Sequence, residues 1–369
     1  MSFRDGVPIC LVVMAGRKNN YKLFTTIVVT CGFLYFYVSL SSNLLAGSNQ
    51  KSHSEYTFTE SVPKTIEHTD TIEELPEAFE QLSEETLQLI INQKKIENSK
   101  RLAKIAWFCD AEKKLQSLPP TSHMYDIPGR NLSLSLIAKV ASTSWVAFLA
   151  RTEIPACIQY IESSHSGHAD LHACVKEGLT VDQHEGHVRA LFIRDPWTRL
   201  VSVYEDKIVK QRFVQADECY KRWRIVRKLP SNMTDDKAVP ANLSFAQFIA
   251  CIIETKDPND LDPHYRPQYL MQGLCHEQYT QIGTLEDLNR DFLFTMKMAQ
   301  PSLTAAQLGN LLKIFSRGPR RPWEVTNLTD KRLRTAHYFK SLTETSIQGL
   351  QNIYKWDVLL HSYRFRPLT

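Results

Sequence analysis

Glycine is scarce in this chain, 13 of 369 residues, and no glycine-lysine pair of the Walker type occurs. An ordinary P-loop kinase or ATPase is therefore disfavoured, because its phosphate cradle needs glycines for close backbone approach. The 8 cysteines include no Cys-x-x-Cys pair and no Cys/His spacing of the zinc type, so no structural metal is expected. Nor does charge of one sign dominate: 44 Lys and Arg against 40 Asp and Glu leave a formal +4. That balance gives no argument for a nucleic-acid partner, and none is expected. Internal repeats and low-complexity tracts are also absent, which removes solenoids and arrays.

What is present begins with a long apolar run. Leu23 to Leu40 carries no charge and is interrupted only by Thr, Ser and Gly. Continued through Leu44, Leu45 and Ala46, it reaches the roughly 20 residues needed to cross a bilayer core. Arg17, Lys18 and Lys22 precede it, so the positive-inside rule puts residues 1–22 in the cytosol and the rest across the membrane. The run is long for a signal-peptide core and lacks a clear cleavage site, which favours an uncleaved anchor at 23–46. Beyond it lie the acceptors Asn131, Asn232, Asn242 and Asn327, of which Asn131 abuts an expected buried strand and is left out of the glycosylation set. Six cysteines (Cys109, Cys157, Cys174, Cys219, Cys251, Cys275) also follow. They allow three disulfides in an oxidising lumen, with the pairing left open.

Residues 47 to about 70 read as a polar stem, and Ile72 to about Phe108 as an amphipathic helix leaning on the domain that follows. The expected boundary between stem and catalytic domain is at 108/109, and a homodimer through the stem is a further expectation. From 109 to 369, strands alternate with helices, which argues for a parallel, doubly wound sheet. The strands are expected at Leu132 to Val140, Val188 to Ile193 and Tyr279 to Gly283. Helices are expected at Ser144 to Arg151, Thr198 to Lys210, Phe245 to Glu254, Ser302 to Phe315 and Thr343 to Tyr354.

Two strand ends carry the chemistry. Lys139-Val140-Ala141-Ser142-Thr143-Ser144 offers a lysine, three hydroxyls and the N–H groups of a starting helix, a ready anion site. The competing reading is that Thr143 or Ser144 merely caps that helix. Arg194-Asp195-Pro196-Trp197-Thr198-Arg199, with Ser202 one turn on, offers guanidiniums that grip phosphate in two places. Arg194 at the mouth of an apolar strand needs an anionic partner, whereas Asp195-Pro196 also makes a sound structural helix start. Downstream, Lys207, Lys210, Arg212 and five further cations up to Lys228 face only Asp217 and Glu218, a cluster suited to a polyanion or to a solvated helix face.

The first loop resembles the Pro-Lys-Val-Ala-Cys-Thr-Asn-Trp motif of Golgi carbohydrate sulfotransferases, and the second resembles their Arg-Asp-Pro-Phe-x-Arg-Leu-Val-Ser motif. In order after them, Asp262-Pro-His264-Tyr265-Arg266-Pro267-Gln268 is similar to the family's His-Trp-x-Pro-Gln. Gln281-Ile282-Gly283-Thr-Leu-Glu286 is similar to Ile-Gly-Lys-x-Glu, and Tyr354-Lys-Trp-Asp357 to Tyr-x-x-Asp. The resemblance spans roughly 120 to 363. The group it points to holds chondroitin and dermatan 4-O-sulfotransferases and glucuronyl 3-O-sulfotransferases. Ala138, Ser142 and Ser144 depart from the family's proline, cysteine and asparagine, and Tyr265 from its tryptophan.

The resemblance implies a P-loop-like α/β sulfotransferase fold, a central parallel sheet flanked by helices and preceded by one transmembrane helix. It implies a single-pass type II Golgi membrane protein that transfers a sulfuryl group from PAPS, without metal, to an acidic glycan. The expected acceptor is O4 of N-acetylgalactosamine in chondroitin or dermatan, with O3 of a terminal glucuronate as the alternative. A membrane-anchored glycan-binding protein that has lost catalysis is the reading from another class. Lys139 with Val140, Ala141, Ser142, Thr143 and Ser144 would meet the 5′-phosphosulfate. Arg194, Asp195, Arg199 and Ser202 would hold the 3′-phosphate. His264 is the expected base, with His184 and His187 as rivals, and Lys207, Lys210 and Arg212 would face the acceptor.

Overall fold

The computed structural model describes residues 9–18, 21–30, 82–112, 124–162, 168–181, 186–210, 243–271, 273–317 and 328–363. The chain divides into two units, Met1–Glu67 and His68–Thr369. In the first, β1 (Ile9–Lys18) and β2 (Tyr21–Thr30) pair antiparallel, with Lys18 opposite Tyr21 and Ile9 opposite Thr30. Leu23 to Thr30, the first part of the run expected to form a membrane helix, lie in β2. The β-branched series Thr25-Thr26-Ile27-Val28-Val29-Thr30 suits a strand once a partner strand is at hand. Residues 31–46 lie outside the described residues. Among the described residues, no helix is long and apolar enough to cross a membrane.

The second unit begins with α1 (Glu84–Ala111). Ser83 Oγ accepts from Thr86 N at 3.1 Å, and Glu84 and Glu85 complement the helix dipole. Its buried face, Leu87, Ile90, Lys94, Asn98, Ile105 and Phe108, follows helical spacing but includes two polar residues. The apolar pattern in the sequence put Ile96 on that face, yet Ile96 is exposed. The reason is the neighbour that α1 covers, the edge strand β7 (Gln281–Thr284). Asn98 donates to Thr280 O at 2.9 Å and accepts from Ile282 N at 2.8 Å, while Arg101 Nη1 donates to Ile282 O at 2.7 Å. Side-chain amide and guanidinium thus complete the ladder that an uncovered edge would leave open. Lys94 is buried among Glu97 at 2.8 Å, Asp291 at 3.2 Å and Asp287.

The sheet adds β3 (Met124–Ile127), β4 (Leu132–Ser135), β5 (Thr180–Val181) and β6 (Val188–Ile193), in the order β5-β3-β4-β6-β7. The pairs β4/β6 and β6/β7 are parallel, with Leu132 opposite Val188 and Ile193 opposite Thr284. β3 runs antiparallel to both β4 and β5, so the sheet is mixed rather than wholly parallel. Gly129 at φ +68° lies in the tight β3–β4 turn that imposes this reversal. β4 also stops at Ser135, short of the expected Val140. Lys139 at φ +66° and Ala141 at φ +54° are left-handed, a conformation that no strand accommodates.

Helices α2 (Ser142–Thr152), α3 (Gln159–Glu162), α4 (His168–Glu177) and α5 (Pro196–Val203) follow in the first half of the unit. Then come α6 (Phe245–Ile253), α7 (Gln268–Met271), α8 (Leu288–Ala299), α9 (Ala305–Ser316), α10 (Leu328–Phe339), α11 (Glu344–Ile353) and α12 (Lys355–His361). One apolar core packs against the sheet through Trp145, Phe148, Phe192, Phe292 and Phe315, with Phe292 stacked on Phe315 at 4.3 Å. A second joins α5, α6 and α10–α12 through Trp197, Leu200, Phe248, Phe339 and Tyr354. Disulfides Cys109–Cys275 and Cys157–Cys174 fasten the unit, and Cys251 is disulfide-bonded as well.

Candidate functional site

β4 and β6 are neighbours in the parallel part of the sheet, so the loops leaving their carboxyl ends meet on one side of it. In the first loop the two left-handed residues turn the chain straight into α2. The N-cap is Ala141, and no side chain caps the helix. The reading in which Thr143 or Ser144 is a mere cap is thereby set aside. The N-terminus of α2 keeps its dipole, and Ala141 as N-cap has no polar side chain to fold over the first-turn N–H groups. Lys139, mostly buried, reaches Asp206 Oδ2 with its Nζ at 2.9 Å. Burial pushes its ammonium below the usual lysine range, aided by Arg194 and Lys207 and opposed by Asp206.

The second loop clamps the first. Arg194 Nη1 donates to Lys139 O at 3.0 Å and Arg199 Nε donates to Ala138 O at 3.3 Å, two consecutive carbonyls. The two arginines then differ. Arg199 spends its remaining nitrogens on Arg266 O at 2.7 Å and Pro263 O at 2.9 Å. It is a buried strut between the first loop and the His264 segment. Arg194, a buried residue, places Nε on Thr198 Oγ1 at 3.2 Å, while its Nη2 makes no hydrogen bond among the described residues. Asp195 acts as the N-cap of α5, accepting from Thr198 N at 2.7 Å. Burial, with Glu286 nearby, pushes its carboxyl up to about 7. Ser202 is half-buried on the second turn of α5.

The downstream motifs form the frame behind these loops. Gln268 exchanges hydrogen bonds with the backbone of Arg194, and its own N–H donates to Asp357 Oδ2 at 2.8 Å. Asp357 also receives Tyr269 N at 2.8 Å; burial pushes its carboxyl up to about 6. Glu286 accepts from Asp195 N at 3.0 Å and from the Tyr363 hydroxyl at 2.9 Å. The Tyr354 hydroxyl donates to Tyr265 O. Gln268, Glu286, Tyr354 and Asp357 therefore hold backbone in place.

His264 stands next to Pro263, whose carbonyl Arg199 holds, so the strut that touches the Lys139 loop also carries His264. Its Nδ1 lies 2.7 Å from Asp262 Oδ1, and its backbone N donates to the same oxygen at 2.8 Å. A carboxylate can only accept, so Nδ1 carries the proton and Nε2 keeps the lone pair. Asp262 is held below the usual carboxylate range: burial raises it, but the His264 bonds and Lys207 outweigh that. His187 lies at the opposite end of the sheet, 3.3 Å from the buried Ser133 Oγ, and His184 lies outside the described residues. Lys207 faces both Lys139 and Asp262, whereas Lys210 is exposed. Arg212, Asn232, Asn242 and Asn327 lie outside the described residues. The sequence alone assigned no role to Asp206, or to Asp262 at the head of the His264 segment. Asp206 sits one residue before the basic run and carries the wrong sign for a phosphate site.

A model of the sulfotransferase family matches residues 122–364, well over half of the chain and all of the elements just described from β3 to α12. The chain belongs to the sulfotransferase family. It is 24% identical over 182 residues to carbohydrate sulfotransferase 11 of Rattus norvegicus, covering 48% of this chain and 47% of that one. To carbohydrate sulfotransferase 12 of Mus musculus it is 25% identical over 192 residues, covering 48% and 40%. To carbohydrate sulfotransferase 14 of Mus musculus it is 30% identical over 108 residues, covering 28% and 27%. The chain thus matches about half the length, or less, of these curated relatives. No solved structure matches it. For this sulfotransferase-family chain the donor set fits a sulfuryl donor with anions at two ends: an uncapped helix start with Lys139 at one loop, and the spare Nη2 of Arg194 at the other. Among the described residues, no group of three or more His, Cys, Asp or Glu is placed to hold a metal ion.

Proposed function

We propose that this protein transfers a sulfuryl group from PAPS to a sugar hydroxyl of an acidic glycan, O4 of N-acetylgalactosamine in chondroitin or dermatan. The observation that carries the reading is the clamp between the two loops, Arg194 Nη1 on Lys139 O at 3.0 Å with Nη2 left over. PAPS supplies an activated sulfate on a good leaving phosphate. Arg194, with Ser202, grips the 3′-phosphate and sets the register of the donor. Lys139 and the N–H groups opening α2 take up the charge that builds on the departing 5′-phosphate. His264 Nε2 accepts the proton of the acceptor hydroxyl as the oxygen–sulfur bond forms and the sulfur–phosphate oxygen bond breaks. Lys207 lies between these groups and faces the acidic sugar.

The apolar run at 23–46 supports attachment to the Golgi membrane. The disulfides Cys109–Cys275 and Cys157–Cys174 support an oxidising lumen for the catalytic unit. Protease protection of intact vesicles, with alkaline extraction, tests both. For the activity itself, the full chain is incubated with labelled PAPS and a panel of desulfated glycosaminoglycans, and the modified position is mapped. Label at O4 of N-acetylgalactosamine supports the reading. Label at glucuronate O3 moves the acceptor, and no transfer with no binding of the product PAP removes the activity.

A further inference from the structure

After α5 the chain does not stop but widens into a π-helical turn, Tyr204–Val209, in which Lys210 N donates back to Glu205 O at 3.2 Å. Such turns are frequent at functional sites. This one delivers an acid, Asp206, to the lysine of the anion site. The stem of Lys139 has little freedom: its backbone is left-handed at φ +66°, and its carbonyl is pinned by Arg194. Its ammonium can therefore choose a partner by side-chain rotation alone, and in this state it has chosen Asp206 at 2.9 Å. Both side chains keep partial solvent access, 18% and 21%, so a ligand can reach the pair.

We propose that Asp206 is an affinity-setting counter-ion, an internal anion that a donor must displace from Lys139 before it binds. The inference rests on the sulfuryl-transfer reading above. A carboxylate beside the ammonium repels any incoming phosphate and competes for the same charge. An anion that meets only the Lys139 loop gains too little to win that competition. A nucleotide that also engages Arg194, through a second phosphate at its other end, gains enough. Asp206 thus raises the binding threshold of the site: mononucleotides and inorganic sulfate fall below it, and a 3′,5′-bisphosphorylated adenosine clears it through Arg194. Among the described residues, the charged groups acting on Lys139 are Asp206, Arg194 and Lys207, and of these Asp206 supports its positive form.

The test compares the full-length wild-type protein in detergent with Asp206→Asn, measuring binding of PAP and of 5′-AMP by calorimetry. Removing the internal anion should tighten PAP and 5′-AMP alike, each by about tenfold, because both place a 5′-phosphate at Lys139. The alkaline limb of kcat/KM should also move to lower pH, because Lys139 loses the group that keeps it charged. Asp206→Glu should restore both properties in part. PAP binding that is unchanged or weaker in a cooperatively folded Asp206→Asn overturns the counter-ion role alone; Asp206→Ser gives the same readout if the Asn variant does not fold. A wild-type protein that does not bind PAP overturns the sulfuryl-transfer reading together with it.

Discussion

Gln268 and Arg194 exchange two hydrogen bonds: Arg194 N donates to Gln268 Oε1 at 3.0 Å, and Gln268 Nε2 donates to Arg194 O at 2.7 Å. The side chain of one residue thereby imitates a neighbouring strand just where β6 ends. Gln268→Leu keeps the volume but leaves a buried N–H and C=O without partners, at about 1–3 kcal/mol each. Urea denaturation should show that loss. Calorimetry should show weaker PAP binding, because the Arg194 backbone is no longer fixed. Gln268→Glu keeps the acceptor and should fall between the two.

Arg194 and Arg199 stand five residues apart, and both donate to the first loop. Their fates on substitution should diverge. Arg199→Lys cannot span Ala138 O, Pro263 O and Arg266 O with one ammonium, and should cost about 3 kcal/mol of stability. Arg194→Lys loses the spare nitrogen and should weaken PAP binding by at least about tenfold, with a smaller loss of stability. Equal effects of the two variants on PAP affinity would contradict the division into strut and ligand.

Three buried groups make stability depend on pH with opposite signs. Asp195 is raised from 3.8 to about 7 and Asp357 from 3.8 to about 6, both chiefly by burial. Their contribution is fully present below the unfolded value and is lost as pH rises through the folded one. His361, pushed by burial from 6.5 down to about 3, acts the other way: its contribution is lost as pH falls below the unfolded value. Asp195→Asn keeps a side chain able to cap α5 and should flatten the decline between about pH 4 and 7. His361→Phe should flatten the acid limb. Denaturation curves across pH for each variant separate the two.

β6 was legible because it is an apolar run broken only by Arg189, and several helix starts because a cap marks them; Ser244, Thr304 and Thr343 all accept from their own first turn. The Lys139 loop was misread as strand because left-handed φ at Lys139 and Ala141 leaves no mark in residue type. The face of α1 was misread for a different reason. Asn98 and Lys94 are buried by what they pair with, an edge backbone and three carboxylates, and a polarity pattern cannot register a partner some 180 residues away. β3 and β5 escaped altogether, because runs of four and two residues are too short to carry a periodic signal. The residues of the two loops were legible as a set, while the pairing of Asp206 with Lys139 and of Asp262 with His264 became visible only with the contacts.

Gly283 of β7 lies opposite Phe192 of β6. A Cβ there would run into the Phe192 ring, a rigid body already held by Trp145 at 5.1 Å between centroids. Gly283→Ala should therefore destabilise by about 1–3 kcal/mol, through overpacking rather than any change in backbone preference. Phe192→Leu in the same chain should recover part of that loss, which thermal melts of the single and double variants would reveal.

His264 gives the sharpest separation of binding from chemistry. Its Nδ1 is committed to Asp262, so Nε2 is its free basic nitrogen, and none of its contacts holds the donor loops together. His264→Ala should lower kcat by about 10²–10⁴-fold while PAP affinity, set by Lys139 and Arg194, stays close to that of the unaltered protein. Asp262→Asn still offers an acceptor to Nδ1 but no charge to stabilise the imidazolium, and should lose kcat less severely. Turnover of His264→Ala at the normal rate under saturating PAPS would take the base away from this histidine and leave Asp262 with a purely structural turn.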